Sequence, residues 1–480
     1  MQLGKNGKEY DLQKISVLDV NMMEKQRRNL PTYGIRPIWR WFYLTARKKG
    51  LEIEFAEYKN NKHNLCQSLG EFQYLIIYID HYIPEWLIRQ IDYSDKSLGD
   101  IKIYICGYLS TLYKDEIEKI CGGRATVLQG VLENVLPLLL SELSQIPQIE
   151  EFPYIKLKSE ELMLYEKQLN MRGIEVVQAS VGCPMKCSFC RYSTFYHKYY
   201  KKVYTQYALD NIIREIKSIV SAYGIRHFRF SDSNFLGNGP RIIKRCKELA
   251  LELERNDLNI TFELHSRSDA VTKEAIAILK DSGLKHISIG IESMSETQLI
   301  RYGKRETTEQ HRRAIQILWK YGILTQGYAI LFDPLVSKNE VLESLEGLYE
   351  LSKKCLIVLH DKMILYRSTD YFKKNCHYIE VKQEKNNGID EVVDYEFSDD
   401  WCKHNFAKVQ KLNELISKKI FEFYQKRYTF YNKNERYTLL KRANSYRLMI
   451  LKKAVSKDTI SMQIVNELEQ EFVKVLTEEM

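Results

Sequence analysis

The sequence predicts an α/β protein in three parts: a doubly wound first domain, a second series of six strand–helix units, and a helical C-terminal region. Three observations predict this organisation. Apolar runs of strand length alternate with helical segments across residues 1–150, and a second alternation covers residues 173–370. Helical periodicity dominates residues 371–480, which predicts a separate helical region after the second series of strands.

The first domain is predicted from four strands, at residues 15–20, 51–55, 73–80 and 101–106. The runs QYLIIYID and IKIYIC are almost continuously apolar, as in strands buried on both faces of a parallel sheet. Helical segments are expected between them, at residues 37–49, 84–91 and 114–120. This βαβ alternation predicts a parallel sheet with helices on both faces.

A charged amphipathic helix at residues 160–171 is predicted to form the linker, residues 151–172. Six strands are expected after it, at residues 174–179, 226–231, 259–264, 286–291, 325–331 and 357–365. The expected intervening helices are residues 208–222, 241–254, 273–281, 307–321 and 337–353. Six strands are too few for a closed eightfold barrel, so we predict a partial barrel with its chemistry at the carboxyl ends of the strands.

Three cysteines follow the first of these strands in the spacing C-x-x-x-C-x-x-C: Cys183, Cys187 and Cys190. Thiolates are the usual protein ligands of a 4Fe-4S cluster. Three of them hold three irons, which leaves the fourth iron open to another molecule. The alternatives are a zinc site and unrelated thiols, but zinc usually takes four ligands in two separated pairs, and the sequence has no second C-x-x-C pair.

The cysteine motif, with Phe189 directly before its third cysteine, resembles the radical SAM superfamily. The resemblance implies a partial (βα)6 barrel, a 4Fe-4S cluster on the three cysteines and S-adenosylmethionine (SAM) on the open iron. It also implies that an electron from an external donor splits SAM into methionine and a 5′-deoxyadenosyl radical, which abstracts hydrogen from an unactivated carbon.

Residues at the strand ends are candidates for contact with SAM. The resemblance places Ser231 and Asp232 where the family meets the amino group of SAM, with an Asx-type turn as the alternative for Asp232. Arg267 is expected to bind the SAM carboxylate in a bidentate manner. Glu292 is expected to accept the ribose hydroxyls, and the alternative is a structural ion pair with Arg267.

The first domain resembles the Rossmann-like cobalamin-binding domain that precedes some radical SAM barrels, through residues 105–111 and 130–136. The cobalt-ligating pattern D-x-H-x-x-G is absent, and His81 follows a strand without the required glycine spacing. Cobalamin is therefore left open as a cofactor. The alternative is a Rossmann-like domain without a ligand that shapes the substrate cleft.

Two basic, tyrosine-rich helices are predicted at residues 406–427 and 434–453. Their charges indicate either a solvated face or a docking surface for an acidic partner. Cys376, followed by Cys355, is our candidate hydrogen donor, because radical SAM peptide epimerases use a cysteine in this way. The alternative is an inert thiol.

Composition narrows the function. The chain has 480 residues, 44% of them apolar, and a net charge of +9, without an N-terminal apolar segment typical of secretion, which predicts a cytoplasmic protein with reduced thiols.

We expect epimerisation of a ribosomal peptide, with an acidic leader as its docking element. The alternative is a cobalamin-dependent C-methyltransferase, and tRNA modification is less favoured because no RNA-binding module is recognisable.

Overall fold

The computed structural model describes residues 13–19, 37–56, 72–80, 82–84, 87, 91, 99–144, 176–200, 202–382, 388–427 and 433–478. The predicted linker helix and His81 lie outside these residues, as does most of the helix predicted at residues 84–91.

The first sheet is parallel, with helices on both faces, as the sequence predicts. The first six strands are β1 (Lys14–Asp19), β2 (Glu52–Ala56), β3 (Tyr74–Tyr78), β4 (Tyr82–Pro84), β5 (Lys102–Cys106) and β6 (Ala125–Val127). The sheet has the order β2-β1-β3-β5-β6, and β4 lies outside it. Its helices are α1 (Pro37–Lys48), α2 (Tyr108–Leu112), α3 (Lys114–Ile120) and α4 (Leu132–Ser144).

Strand alternation divides the core of the first domain. Val17 and Ile76 face the helices α1 and α4, whereas Leu75 and Ile77 face α3 through Ile117. Successive strand residues point to opposite faces, so a continuous apolar run supplies both cores at once. The doubly wound arrangement predicted for the first domain is therefore confirmed in its described residues.

The second sheet contains the six predicted strands in sequential order, all parallel. They are β7 (Val176–Val177), β10 (His227–Phe230), β11 (Thr261–Arg267), β12 (Leu284–Glu292), β13 (Leu324–Phe332) and β14 (Leu356–Lys362). An antiparallel pair of strands that the sequence did not predict, β8 (Ser180–Gly182) with β9 (Tyr204–Gln206), follows β7.

The helices of the second part that the sequence predicted lie close to their expected bounds: α6 (Leu209–Tyr223), α7 (Arg241–Arg255), α8 (Lys273–Asp281), α10 (Thr308–Lys320) and α11 (Lys338–Ser352). Two further helices, α5 (Arg191–Tyr199) and α9 (Glu296–Arg301), were not predicted. The ends of the predicted helices follow from sequence signals. Thr307 and Ser337 form capping boxes at the starts of α10 and α11, and Gly224 ends α6 in a left-handed conformation.

The segment after the barrel returns to both α/β parts. It forms β15 (Leu365–Tyr366), α12 (Asp370–Asn375), β16 (Gly388–Asp390) and β17 (Val392–Val393). β16 pairs antiparallel with β4, and β15 pairs with β17. The Tyr113 hydroxyl in the first domain donates a hydrogen bond of 2.7 Å to the buried carboxylate of Glu391.

Three helices end the chain: α13 (Asp400–Arg427), α14 (Lys433–Val455) and α15 (Met462–Glu478). The first two were predicted, and α15 was not. The side chain of Asn444 in α14 bonds both the N–H and the C=O of Ile357 in β14, at 3.0 and 2.9 Å. The Tyr437 hydroxyl donates to the carbonyl of Thr325 at 2.6 Å, so α14 covers the amino ends of β13 and β14.

Among the described residues, no helix combines the length and apolar character needed to cross a bilayer.

Candidate active site

A glycine fixes where the cysteine loop, residues 183–190, begins. Gly182 ends β8 with φ +82°, and a Cβ atom there would lie 1.9 Å from the carbonyl oxygen of Val203. Only a residue without a side chain fits this approach. The loop ends at Cys190, the N-cap of α5, whose Sγ accepts a hydrogen bond from the N–H of Ser193 at 3.4 Å.

The middle of the cysteine loop is held from two sides. The backbone N–H of Ser188 donates to the carbonyl of Tyr302 at 2.7 Å, and its carbonyl accepts from the N–H of Tyr371 at 2.8 Å. The ring of Phe189 packs against Tyr302 with the ring centroids 5.2 Å apart. The structure thus gives Phe189 a packing role beside the cysteines, and its predicted contact with SAM stays a prediction.

The three thiols are close enough to affect one another's ionisation. Burial raises the pKa of Cys183 and Cys187 above the ordinary value and raises the pKa of Cys190 to about 12. The thiol of Cys187 adds to the rise at both of its neighbours. Buried thiolates need positive charge beside them, which a metal centre supplies, so this donor set fits a cluster held by three cysteines.

Arg267 brings one positive charge to the cysteine loop. It ends β11, and its Nη1 lies 3.6 Å from Sγ of Cys187. Its other guanidinium nitrogens bond Asp269 at 3.1 Å, and Nη2 lies 3.2 Å from the carboxylate of Glu306. The side chain is buried, so these carboxylates hold a charge that would otherwise be costly there.

Lys304 brings a second positive charge. Its Nζ lies 3.4 Å from Glu292 and 3.2 Å from Glu306, and its side chain is buried. Burial alone would lower the pKa of Lys304, but the two carboxylates raise it above the ordinary value, and the Cys187 thiol acts in the same direction. Lys304 therefore stays charged beside the cysteine loop.

The sequence analysis left open an ion pair between Arg267 and Glu292, and the structure contradicts it. Glu292 pairs with Lys304 instead, because Glu292 adopts φ +65° at a register shift between β12 and β13. A bulge of this kind re-aims a side chain at the end of a strand. Sequence reasoning missed Lys304 and Glu306, and the available signal was the run of charged residues from Lys304 to Glu306 in the short loop between α9 and α10.

Asp232 has its carboxylate occupied by the protein. It is 2% exposed, and its oxygens accept the N–H of Ala179 at 3.0 Å and the hydroxyl of Ser180. These contacts tie the end of β10 to the segment before the cysteine loop and give Asp232 a structural role. Ser231 is exposed, and its hydroxyl donates to the carbonyl of Val177 at 3.2 Å.

The two candidate hydrogen donors lie at different ends of the second sheet. Cys355 directly precedes β14, at the amino edge, and is fully buried. Burial raises its pKa to about 12, and its Sγ donates to the carbonyl of Leu351. The cysteine loop lies at the opposite, carboxyl edge of the sheet, so burial and position both argue against Cys355 as the hydrogen donor, a role that stays a prediction.

Cys376 is better placed. It directly follows α12, the helix whose Tyr371 bonds the cysteine loop at Ser188. Its side chain is partly exposed, with Sγ 3.6 Å from the carbonyl of Lys373 and 4.0 Å from Nδ1 of His377. Its predicted role as a hydrogen donor remains a prediction.

An open cavity of about 760 Å³, which we name the lumen cavity, lies on the inner face of the second sheet. Phe262 and Leu264 point to the helices, so the alternate residues Glu263 and His265 point into the cavity. Residues of α13 and α14 close its floor: Tyr424, Arg436, Tyr437 and Leu440. Its size is that of a small-molecule site.

The cavity is polar and charged. The carboxylate of Glu263 pairs with Arg229 and lies 3.5 Å from Nδ1 of His286. Burial favours a raised pKa for Glu263, but Arg229 brings it below the ordinary value, while burial lowers the pKa of His265. His265 is two residues from Arg267 on the same face of β11, about 6.6 Å along the strand, so the lumen cavity begins beside the cysteine loop.

The described part of the first domain leaves little room for cobalamin. Between its carboxyl edge and α5, the described residues enclose a space of about 60 Å³ lined by Asp80, Tyr108, Arg191 and Phe195 among others. Drug-sized ligands occupy about 300–1,000 Å³, and a corrin is larger than these. The described residues therefore do not fit this cofactor.

Comparison with known proteins identifies the central domain. Residues 177–351 match the family model of the radical SAM superfamily. Over 174 residues, the chain is 27% identical to the anaerobic magnesium-protoporphyrin IX monomethyl ester cyclase of Rubrivivax gelatinosus, covering 36% of this chain and 29% of the cyclase. Over 250 residues, it is 26% identical to an uncharacterized methyltransferase of Pyrococcus horikoshii, covering 50% of each.

A solved structure shows the same fold over nearly the whole chain. The cobalamin-dependent S-adenosylmethionine radical enzyme OxsB, with aqua-cobalamin and SAM bound, matches with a TM-score of 0.68 at 15% identity, covering 97% of this chain and 76% of OxsB. The matched stretches span half or less of the two curated relatives. Residues 177–351 therefore match a radical SAM domain, which confirms the resemblance that the cysteine motif carries.

Replacing Glu306 by alanine is expected to lower the free energy of unfolding by about 3–5 kcal/mol, because removing one partner of a buried ion pair leaves its charge uncompensated. Here the carboxylate lies 3.2 Å from both Arg267 and Lys304. Urea denaturation of the anaerobic protein measures the change. Glu309→Ala, at an exposed position in the first turn of α10, is the control, and equal losses in both variants would contradict the prediction.

Asp232 is expected to make stability depend on pH between about 4 and 6. Burial raises its pKa from 3.8 to about 6, so the folded state holds this proton in a range where the unfolded state has lost it. Its contribution therefore falls as pH rises, by about 3 kcal/mol at about 1.4 kcal/mol per pKa unit.

Asp232→Asn removes this dependence, and its amide can still accept from Ala179 while donating to Ser180. The difference in unfolding free energy between variant and parent, measured without the cluster, should grow from pH 4 to pH 6. Asp210→Asn, at an exposed position in α6, controls for the substitution itself. A constant difference for Asp232→Asn would show that the carboxyl titrates normally.

Proposed function

We propose that this radical SAM enzyme removes a hydrogen atom from an unactivated carbon of a substrate held in the lumen cavity. The observation that carries the proposal is the shared position of site and cavity: Arg267 contacts Cys187, and His265, two residues earlier on β11, lines the cavity. When bound, a 4Fe-4S cluster and SAM supply a 5′-deoxyadenosyl radical, a reagent that takes hydrogen from carbon.

The residues of the chain have distinct roles in this proposal. Cys183, Cys187 and Cys190 hold three irons of the cluster. Arg267 and Lys304 place two buried positive charges beside the thiolates, which offsets their negative charge and stabilises added electrons. Arg267 is also the candidate for the carboxylate of SAM, and Glu292 for its ribose. The proposed function also requires an external electron donor and a reducing cytoplasm.

The cavity favours a substrate with several hydrogen-bonding groups. Arg229, Glu263 and His286 offer charged and polar contacts along one wall, and Gln326 and Tyr328 lie on the neighbouring strand β13. A polar segment such as a peptide matches this lining, and we retain it as the proposed substrate class.

The basic C-terminal helices support the solvated-face interpretation more than the docking of an acidic leader. On α13, Lys411 lies 4.0 Å from Glu414, and Lys418 lies 4.0 Å from Glu422. The lysines thus have acidic neighbours on their own helix, which reduces the field that an acidic partner would meet.

Two fates of the substrate radical follow, and each has its own support. The relatives support methyl transfer, which was the alternative in the sequence analysis, better than they support peptide epimerisation. One relative is a methyltransferase, and the matched OxsB structure is that of a cobalamin-dependent enzyme. The geometry supports return of a hydrogen atom from Cys376. In that step the S–H bond breaks as its hydrogen atom forms a new C–H bond, and the sulfur radical left behind takes an electron from the external donor and a proton from water.

Replacing Cys183, Cys187 and Cys190 together by alanine is expected to abolish formation of 5′-deoxyadenosine from SAM, since no ligand of the cluster remains. The product is measured chromatographically under anaerobic conditions with dithionite as the electron donor. Cys246→Ala, a buried cysteine of α7, is the control and should still form the product. Product from the triple variant at the level of the control would rule the proposal out.

Deuterated water separates the two fates. A peptide is first chosen because it stimulates 5′-deoxyadenosine formation. If Cys376 returns hydrogen, the peptide gains one deuterium on carbon and no methyl mass. Cys376→Ala then still forms 5′-deoxyadenosine but adds no deuterium to the peptide. Cys355→Ala behaves as the parent. A gain of methyl mass that persists in Cys376→Ala would instead support methyl transfer.

A further inference from the structure

The carboxyl edge of the first sheet is where a doubly wound domain holds a cofactor. In open α/β sheets, ligands bind in the crevice beyond the carboxyl ends of the strands. In this chain β3 is followed by Asp80, β5 by Gly107 and Tyr108, and β6 by Gly130. These residues line the small space against α5, the helix that starts directly after Cys190.

Arg191 closes the centre of this crevice. Its Nη2 forms an ion pair of 2.7 Å with the carboxylate of Asp80, and its Nη1 donates to the Asp80 carbonyl at 3.2 Å. The guanidinium also lies over two rings, 4.4 Å from the centroid of Tyr108 and 5.0 Å from that of Tyr366. A cation with a carboxylate and two aromatic faces as partners is a completed contact.

Aromatic side chains fill the crevice around Arg191. The rings of Tyr108 and Phe195 lie 4.6 Å apart, and the Tyr108 hydroxyl lies 2.9 Å from Oγ of Ser368. Farther along α5, the Tyr196 hydroxyl donates to the carboxylate of Glu133 at 3.2 Å. The first domain, α5 and the segment after the barrel therefore meet in direct side-chain contact.

We infer that the first domain of this chain does not hold cobalamin, and that the crevice is a closed interface which fixes α5 and the end of the cysteine loop. Both parts follow from the same contacts, since a corrin would have to displace Arg191 from Asp80 and separate Tyr108 from Phe195. The inference departs from the cofactor of the matched OxsB structure. It rests on the contacts in the crevice alone, and it speaks against cobalamin-dependent methyl transfer as the fate of the substrate radical.

Cobalt content tests the inference. The full chain is purified anaerobically, its iron–sulfur cluster is reconstituted, and the protein is incubated with hydroxocobalamin and desalted. We expect far less than one cobalt per chain by elemental analysis and no protein-bound corrin absorbance. A cobalamin-dependent radical SAM enzyme carried through the same steps is the positive control.

Hydrogen exchange supplies a second measurement. We expect the amides of α5, residues 191–199, to exchange at the same rate with and without hydroxocobalamin. One cobalt per chain, or new protection of α5 on adding the corrin, would overturn the inference. Formation of 5′-deoxyadenosine in the same preparation reports separately on the proposed function, so the two ideas can fail independently.

Opening the interface gives a matched comparison. Arg191→Ala leaves the buried Asp80 carboxylate without its cation, so the exchange of α5 amides should become faster than in the parent. Lys198→Ala, on the same helix and at an exposed position, should leave the exchange unchanged. Equal exchange in both variants would show that Arg191 does not hold the interface closed.

Discussion

The structure around the cysteine loop depends on the buried pairing of two cations with carboxylates. Arg267 and Lys304 share Glu306, and Lys304 also reaches Glu292, so neither charge is left uncompensated in the protein interior. The same cations lower the pKa of Cys187 against the effect of its burial. Elements that are far apart in sequence, namely β11, β12 and the loop after α9, are thereby held at one point beside the thiols.

Much of the fold was predictable because its signals are local. Continuous apolar runs such as residues 73–80 mark buried parallel strands, and the cysteine spacing marks the ligands of a cluster. The partners of buried charges were not predictable in this way. The pairing of Glu292 with Lys304 depends on a register shift between strands, and the burial of Asp232 depends on a contact with Ala179 across the sheet.

The two candidate hydrogen donors show the same limit of prediction from the sequence. Cys355 and Cys376 read alike as isolated cysteines, yet the sheet places one at its amino edge under α14 and the other after the helix that bonds the cysteine loop. A resemblance of the first domain to cobalamin-binding domains reflects its backbone pattern. Whether a ligand fits is decided by the side chains of α5, which the pattern of the first domain does not contain.

The returning segment after the barrel has a consequence for how the chain acquires its structure. β16 completes a ribbon with β4, and Glu391 meets Tyr113 although 277 residues separate them along the chain. Contacts between such distant residues require a long loop to close, and contacts of this kind slow folding. Cutting the chain between its two sheets would remove Tyr113 from the buried Glu391 and Asp80 from Arg191. The two α/β parts are therefore not interchangeable modules that recombination could graft onto other barrels.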